Sequence, residues 1–261
     1  MTKPYSTAEL MATAIAREMR DDDFAAIGTA SEIPLCGIRL AQKTHAPNMW
    51  FIYGGCGALN SKNPQLVEMA ADFRNLTGAE YRAPLADLID FEFTGRFSVL
   101  CFGGMQIDQY GNVNITNIGE YAHPKVRGPG SIGLPFMGSV KRTVLYVQHH
   151  HARLFVPKVD FVSGPGYVQD PDLEQYRSPW AKGTSAVITP LAVLDFDTPD
   201  RRMRLRSIHP GQTVESVQAA TGFALVVDDE IVPVTVAPTP EQLRIIREEI
   251  DTTGVLQRLI A

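Results

Sequence analysis

Two glycines at the end of an apolar run are the first residues in this sequence that could do chemistry. Gly103 and Gly104 follow Phe97-Ser-Val-Leu-Cys-Phe102. That run is too short for a free-standing helix and has no polar alternation, so it reads as a strand buried on both faces. Glycine leaves its N–H without a Cβ to cover it. The C-terminal ends of strands are where open α/β sheets bind ligands, and a bare amide there can hold a developing oxyanion. The competing reading is a plain turn out of the sheet. Glu32 occupies a comparable place. Phe24–Gly28 reads as a strand, Thr29–Ile33 as a small-residue loop, and Pro34 as the start of a helix. Strand, loop and helix N-terminus together form a geometry that holds anions and acyl oxygens. Glu32 is there either as a partner of the helix dipole or as a general base.

A second glycine cluster, Gly54-Gly55-Cys56-Gly57, ends the strand Met49–Tyr53. A nucleophilic Cys56 would need a neighbouring base or a helix dipole to lower its pKa. The sequence offers neither, so the cysteine reads as a small residue fitting a tight turn. Residues 119–138 are rich in glycine and proline, with Lys125 and Arg127 beside Gly128, Gly130 and Gly133. Bare amides next to cations suit phosphate, although no G-x-x-x-x-G-K-[ST] pattern is present. His149-His150-His151 alternates between strand faces, so it reads as surface or turn histidines and not as a metal site.

These residues need a sizeable scaffold. The chain has 261 residues, 44% of them hydrophobic and 20% charged, with a net charge of −5. Such a balance excludes a nucleic-acid surface. Its three cysteines, without a C-x-x-C, read as reduced thiols of a cytoplasmic protein with no zinc site. No apolar run approaches membrane-spanning length. The pattern predicts an opening helix over 6–20 behind the capping box Ser6-Thr-Ala-Glu9. Asp21–Asp23 reads as a solvated turn. Strands are expected at 143–147, 186–189, 191–195, 203–208 and 223–227, a helix at 213–221, and a surface excursion at 167–183. A C-terminal helix opens at Thr239-Pro-Glu-Gln242. With no repeat and no low-complexity linker, a single domain over 1–261 is expected.

In this order, the pieces resemble the β subunit of class I coenzyme A transferases of the glutaconate CoA-transferase type. The resemblance rests on Ile27–Pro34, Gly104-Met-Gln-Ile-Asp-Gln-Tyr-Gly-Asn112, the loop from Gly128, Leu191–Phe196 and His209-Pro-Gly-Gln-Thr-Val-Glu215. The C-terminal third is also similar to the β subunit of hydrolases that open a ring of CoA-linked steroid breakdown products. The resemblance implies an α/β fold with an open, mostly parallel sheet flanked by helices. It implies an α-type partner subunit in a heterodimer or heterotetramer, and coenzyme A as part of an acyl-CoA substrate, with no permanently bound cofactor. The transferases carry a thioester-forming glutamate just after the second strand, where this chain has Gly54 and Gly55. A glycine cannot form a glutamyl thioester. Three readings therefore stand: hydrolysis or C–C ring opening, with the carbonyl held by Gly103 and Gly104 and Glu32 or a partner carboxylate as base; transfer through a displaced carboxylate; or a non-catalytic role, stabilising an active α-type partner.

Overall fold

The computed structural model describes residues 5–28, 30–167, 169, 172, 175, 177–228 and 231–259. Thr29 and parts of the 167–183 excursion lie outside the described residues. The fold is α/β, and the chain forms two compact units, Met1–Cys101 with Val236–Ala261, and Phe102–Thr235.

In the first unit, α1 (Thr7–Glu18) starts at the expected capping box. Ser6 Oγ accepts from the Glu9 amide, and Glu9 Oε2 accepts from the Ser6 amide at 2.7 Å. Next come β1 (Phe24–Ile27), α2 (Glu32–Lys43), β2 (Trp50–Tyr53), β3 (Ala58–Leu59), β4 (Tyr81–Arg82), α3 (Leu85–Phe93) and β5 (Val99–Phe102). The strand order is β5-β1-β2-β3-β4. β1 runs parallel to both neighbours, so Ile27 faces Cys101 on one side and Tyr53 on the other. Their chain exits therefore share one edge. The short strands β3 and β4 continue antiparallel.

α1 and α2 touch through Gly37. A Cβ there would lie 2.6 Å from the Ala12 carbonyl oxygen and 2.9 Å from Ile15. Only a missing side chain permits this approach, and both helices bury most of their residues. The C-terminal segment returns to this unit. Its helix Pro240–Ile245 opens at the expected capping box on Thr239 and runs into a single π turn, Ile246–Ile250, before a last helix, Val255–Leu259. Arg247 from the π turn meets the buried Glu9 carboxylate at 2.7 and 3.0 Å.

Two expectations for this unit need correction. α2 begins at Glu32 behind Ser31, with Pro34 inside its first turn, because the third helical N–H needs no intrahelical partner. Asp23 is not a solvated turn residue. It is buried and accepts hydrogen bonds from Ser98 Oγ at 2.6 Å and the Arg20 amide at 2.7 Å.

The second unit contains β6 (Gln106–Asp108), β7 (Val113–Asn114), β8 (Asn117–Ile118), β9 (Val126–Arg127), β10 (Arg142–Tyr146), β11 (Phe155–Val156), β12 (Thr184–Ile188), β13 (Ala192–Asp195) and β14 (Arg204–Ile208). β10 and β12 pair in parallel, and β13 and β14 extend them antiparallel. A three-stranded sheet, β11-β6-β7, and the pair β8-β9 complete it. Ile107, Leu145, Phe155, Val187, Leu194 and Phe196 anchor its core. Residues 214–219 form the expected helix. Residues 223–227 do not form a strand: Val226 makes only an isolated bridge to Arg204. His150 departs from the surface reading. Its ring stacks on Phe155 at 4.2 Å, and its two nitrogens meet Thr189 Oγ1 at 2.9 Å and Thr221 Oγ1 at 3.0 Å. Burial pulls its pKa down to about 4, helped by His151 and His209. Among the described residues, no helix is long and apolar enough to cross a membrane.

Candidate active site

In the first unit, the parallel register brings two sequence-predicted sites together. The Gly54 amide donates to the Ile27 carbonyl at 2.8 Å, so the turn after β2 abuts the end of β1 and the loop leading to Glu32. That loop is tightly constrained: Ala30 has φ +51°, a left-handed conformation that non-glycine residues rarely adopt. Glu32 sits in the first turn of α2, almost fully buried, and its Oε2 has no hydrogen-bond partner among the described residues. Burial raises its pKa, its own amide partly offsets this, and Glu68 adds to the rise. A desolvated carboxyl with a free oxygen at a helix start is a better proton acceptor than an exposed one, because its conjugate acid is more stable.

The glycines of the neighbouring turn are crowded, Gly55 more than Gly54. A Cβ on Gly54 would lie 3.0 Å from the Ile27 oxygen, and one on Gly55 would lie 2.7 Å from the Ala71 nitrogen and Cα. Gly57 has φ +71° and donates to the Tyr53 carbonyl, which closes the turn. Cys56 therefore supplies the only side chain between Gly54 and Gly57. Its thiol is buried, and burial raises its pKa although backbone amides of Ala58 and Cys56 oppose the shift. A neutral thiol is a weak nucleophile but can donate a hydrogen bond.

In the second unit, Gly103 and Gly104 are half-buried, and neither amide donates to any acceptor among the described residues. Gly104 must be glycine, since a Cβ would lie 2.6 Å from Val113. The residues that follow are a positioning device. Asp108 accepts from the Tyr110 and Asn112 amides and from Asn112 Nδ2, which ties the turn through Gly111. Gln106 Oε1 accepts from Asn114 Nδ2 at 2.7 Å and from the Asp160 amide at 3.0 Å. Asp160 Oδ2 in turn accepts from Gln106 Nε2 and from the Gly119 amide. One polar network thus fixes both the segment after Gly104 and the start of the glycine-rich loop. The sequence displayed these residues as a motif, but their connection to Asp160 has no local signature.

The glycine-rich loop divides. Gly128 donates its amide to the Thr116 carbonyl, and a Cβ on it would lie 2.0 Å from the Ile115 oxygen, so close packing explains this glycine and its N–H is taken. Gly130 has φ +88° and open space where a side chain would stand, and a Cβ on Gly133 would meet only the Phe136 ring, at 3.7 Å. Arg127 stacks over Tyr121 at 4.9 Å and donates to the Tyr121 carbonyl. Lys125 is exposed and forms no ion pair among the described residues.

Comparison with known proteins agrees with this architecture. The family model for coenzyme A transferase matches residues 8–220. The chain belongs to the coenzyme A transferase family of enzymes. It is 32% identical over 253 residues to the β-type subunit of glutaconate CoA-transferase from Acidaminococcus fermentans, covering 95% of this chain and 93% of that one. The crystal structure of that transferase superposes with a TM-score of 0.85 at 31% identity, covering 97% of each chain. The cholesterol ring-cleaving hydrolase IpdB subunit of Mycobacterium tuberculosis is 34% identical over 254 residues, covering 97% and 98%. The decarboxylase AibA/AibB superposes with a TM-score of 0.83 at 28% identity, covering 98% of each chain. Further structures of that decarboxylase replace one cysteine by asparagine, serine, alanine or valine.

Proposed function

We propose that this chain is the β-type subunit of a two-chain enzyme that hydrolyses an acyl-CoA thioester or cleaves a C–C bond in its acyl part, without a covalent glutamyl-CoA intermediate. The observation that carries this reading is the crowding of the turn at which Gly54 or Gly55 would stand in the place of the family's nucleophilic glutamate: a Cβ on Gly55 would lie 2.7 Å from the Ala71 backbone and one on Gly54 3.0 Å from the Ile27 oxygen. Relatives named as subunits or as two-component complexes support an α-type partner. Those named for ring cleavage and decarboxylation support C–C chemistry on this scaffold.

In this reading, the Gly103 and Gly104 amides hold the oxygen on which negative charge develops. Glu32 takes a proton, either from water or from a carbon or hydroxyl next to the breaking bond. Cys56, kept protonated by burial, takes no part as a nucleophile. Lys125 and Arg127 meet the CoA phosphates. The chain binds no cofactor of its own; CoA arrives as part of the substrate.

The test is free-CoA release, or loss of the acyl-CoA, by the assembled α/β complex with no acceptor acid present. Hydroxylamine or borohydride added during turnover should leave Tyr53–Gly57 unmodified. Strict dependence on an acceptor acid, with a trapped adduct on any carboxylate of the complex, would establish the transferase reading instead. Full activity of the α-type partner without this chain would reduce the role of this chain to stabilisation.

A further inference from the structure

Arg39 is a buried cation without a counter-ion. It sits on α2, two turns after Glu32, at 6% exposure. Its Nη1 is shut off from solvent without a hydrogen-bond partner, and no described residue accepts from its guanidinium or forms an ion pair with it. Burial lowers its pKa, and the Tyr53 hydroxyl, itself without a partner, is the first group to oppose the shift. Arginine stays charged in proteins, and a buried charge is normally paired.

Arg39 lines a cleft of about 670 Å³ at the beginning of β2, whereas the Gly54–Gly57 turn is at that strand's end. The other charged groups facing the cleft are Lys43, Lys62, Glu80 and Glu249. Lys43 is neutralised by Glu249 at 2.8 Å, and Glu249 is shared with Arg244 at 2.9 Å. Glu80 accepts from Asn60 Nδ2 at 3.2 Å. Lys62 is exposed and in no ion pair among the described residues. Of the charged groups lining the cleft, Arg39 and Lys62 are cations in no ion pair among the described residues, and Glu80 is a carboxylate whose partner is a neutral amide, so cations outnumber carboxylates by three to two. Trp50, half-exposed, forms part of the wall.

We propose that this cleft is a second binding site, for a small oxyanion such as phosphate or the phosphate group of a small ester, with Arg39 as its buried anchor. The guanidinium fork matches the oxygens of phosphate in pairs. The assignment does not depend on the reaction carried out at the Gly54 turn.

The test is calorimetric titration of the assembled complex with inorganic phosphate at low salt, beside chloride at equal ionic strength, followed by thermal melting. Saturable phosphate binding is expected, with a melting midpoint raised by about 3 °C at ten times the dissociation constant. Arg39→Met should weaken binding at least tenfold and remove the phosphate-dependent shift. Lys62→Ala, at an exposed position where folding is not at stake, should weaken it about threefold, more at low salt than at high. Glucose 6-phosphate in place of phosphate separates a site for phosphate esters from one for the free ion. No saturable binding in the complex, or equal binding by wild type and both variants, would overturn the proposal. Density showing a carboxylate of the partner on Arg39 would overturn it too.

Discussion

Gly55 lies so close to Ala71 that a Cβ on the glycine would be 2.7 Å from the alanine's nitrogen and Cα. In the proposed reading, this contact is what keeps a carboxylate out of the turn. Gly55→Glu should not create acceptor-dependent CoA transfer, and overpacking should destabilise the protein by about 1–3 kcal/mol. Circular-dichroism melting beside a transfer assay checks both. A variant that gains transfer at an unchanged midpoint would refute the steric explanation.

Glu32→Gln should lower turnover by about 100-fold or more while leaving the melting midpoint equal or higher. The sign follows from the raised pKa. A carboxyl that holds its proton more tightly when folded favours folding below its unfolded pKa, and that contribution is lost as pH rises through the folded value. At neutral pH the buried carboxylate is a cost that glutamine avoids. The acid limb of the pH–rate profile should also lie above the ordinary carboxylate range. If turnover survives the substitution, the base belongs to the partner.

His150 predicts the opposite slope. Its folded pKa of about 4 lies below the ordinary histidine value of about 6.5, so the unfolded chain binds the extra proton. Stability is fully present above the unfolded value and is lost as pH falls toward 4. Between pH 7 and pH 5 the loss from this residue should be about 2 kcal/mol. Urea denaturation of wild type and His150→Gln at both pH values measures it; identical slopes would show that the ring is protonated when folded.

Removing the Arg247 guanidinium leaves the Glu9 carboxylate, whose side chain is 2% exposed, with the Ser6 amide as its remaining donor among the described residues. Arg247→Met should cost about 2 kcal/mol or more, since a buried charged group loses its partner. The double variant with Glu9→Gln should recover part of that loss, and a purely additive result in denaturant melts would rule out coupling.

The two cations of the glycine-rich loop should differ. Arg127 is already engaged by Tyr121, whereas Lys125 is free to move. Lys125→Ala should therefore weaken CoA binding more than Arg127→Ala, with both effects larger at low salt. Calorimetry showing unchanged affinity for both would remove this loop from the CoA site.

Much of the scaffold was legible because its signals are local. The capping boxes at Ser6 and Thr239 and the apolar runs of β1, β2 and β5 declare themselves within a few residues. Asp23 did not, because its partner Ser98 is 75 positions away and a run of three aspartates looks solvated. His150 departs from the surface reading because two threonines from distant segments hold its ring, half-buried, against Phe155. Glu32 and Gly104 stand out in the sequence by their place at strand ends, and the structure finds the one buried and the other hemmed in by Val113. The absence of space at Gly55 and the isolation of Arg39 are properties of packing, and a sequence does not display a missing neighbour.

Gly37 has a consequence beyond packing. α2 carries Glu32 on its first turn and Arg39 two turns later, and the helix is seated on α1 through the one residue without a side chain. A single methyl group added at Gly37 would meet Ala12 and Ile15 and neither Glu32 nor Arg39. It would nonetheless lift the whole rod off its bearing and tilt both ends together. Glu32 at one end and Arg39 at the other would then shift in step, so Gly37→Ala acts as a mechanical probe of whether α2 moves as a lever or yields locally.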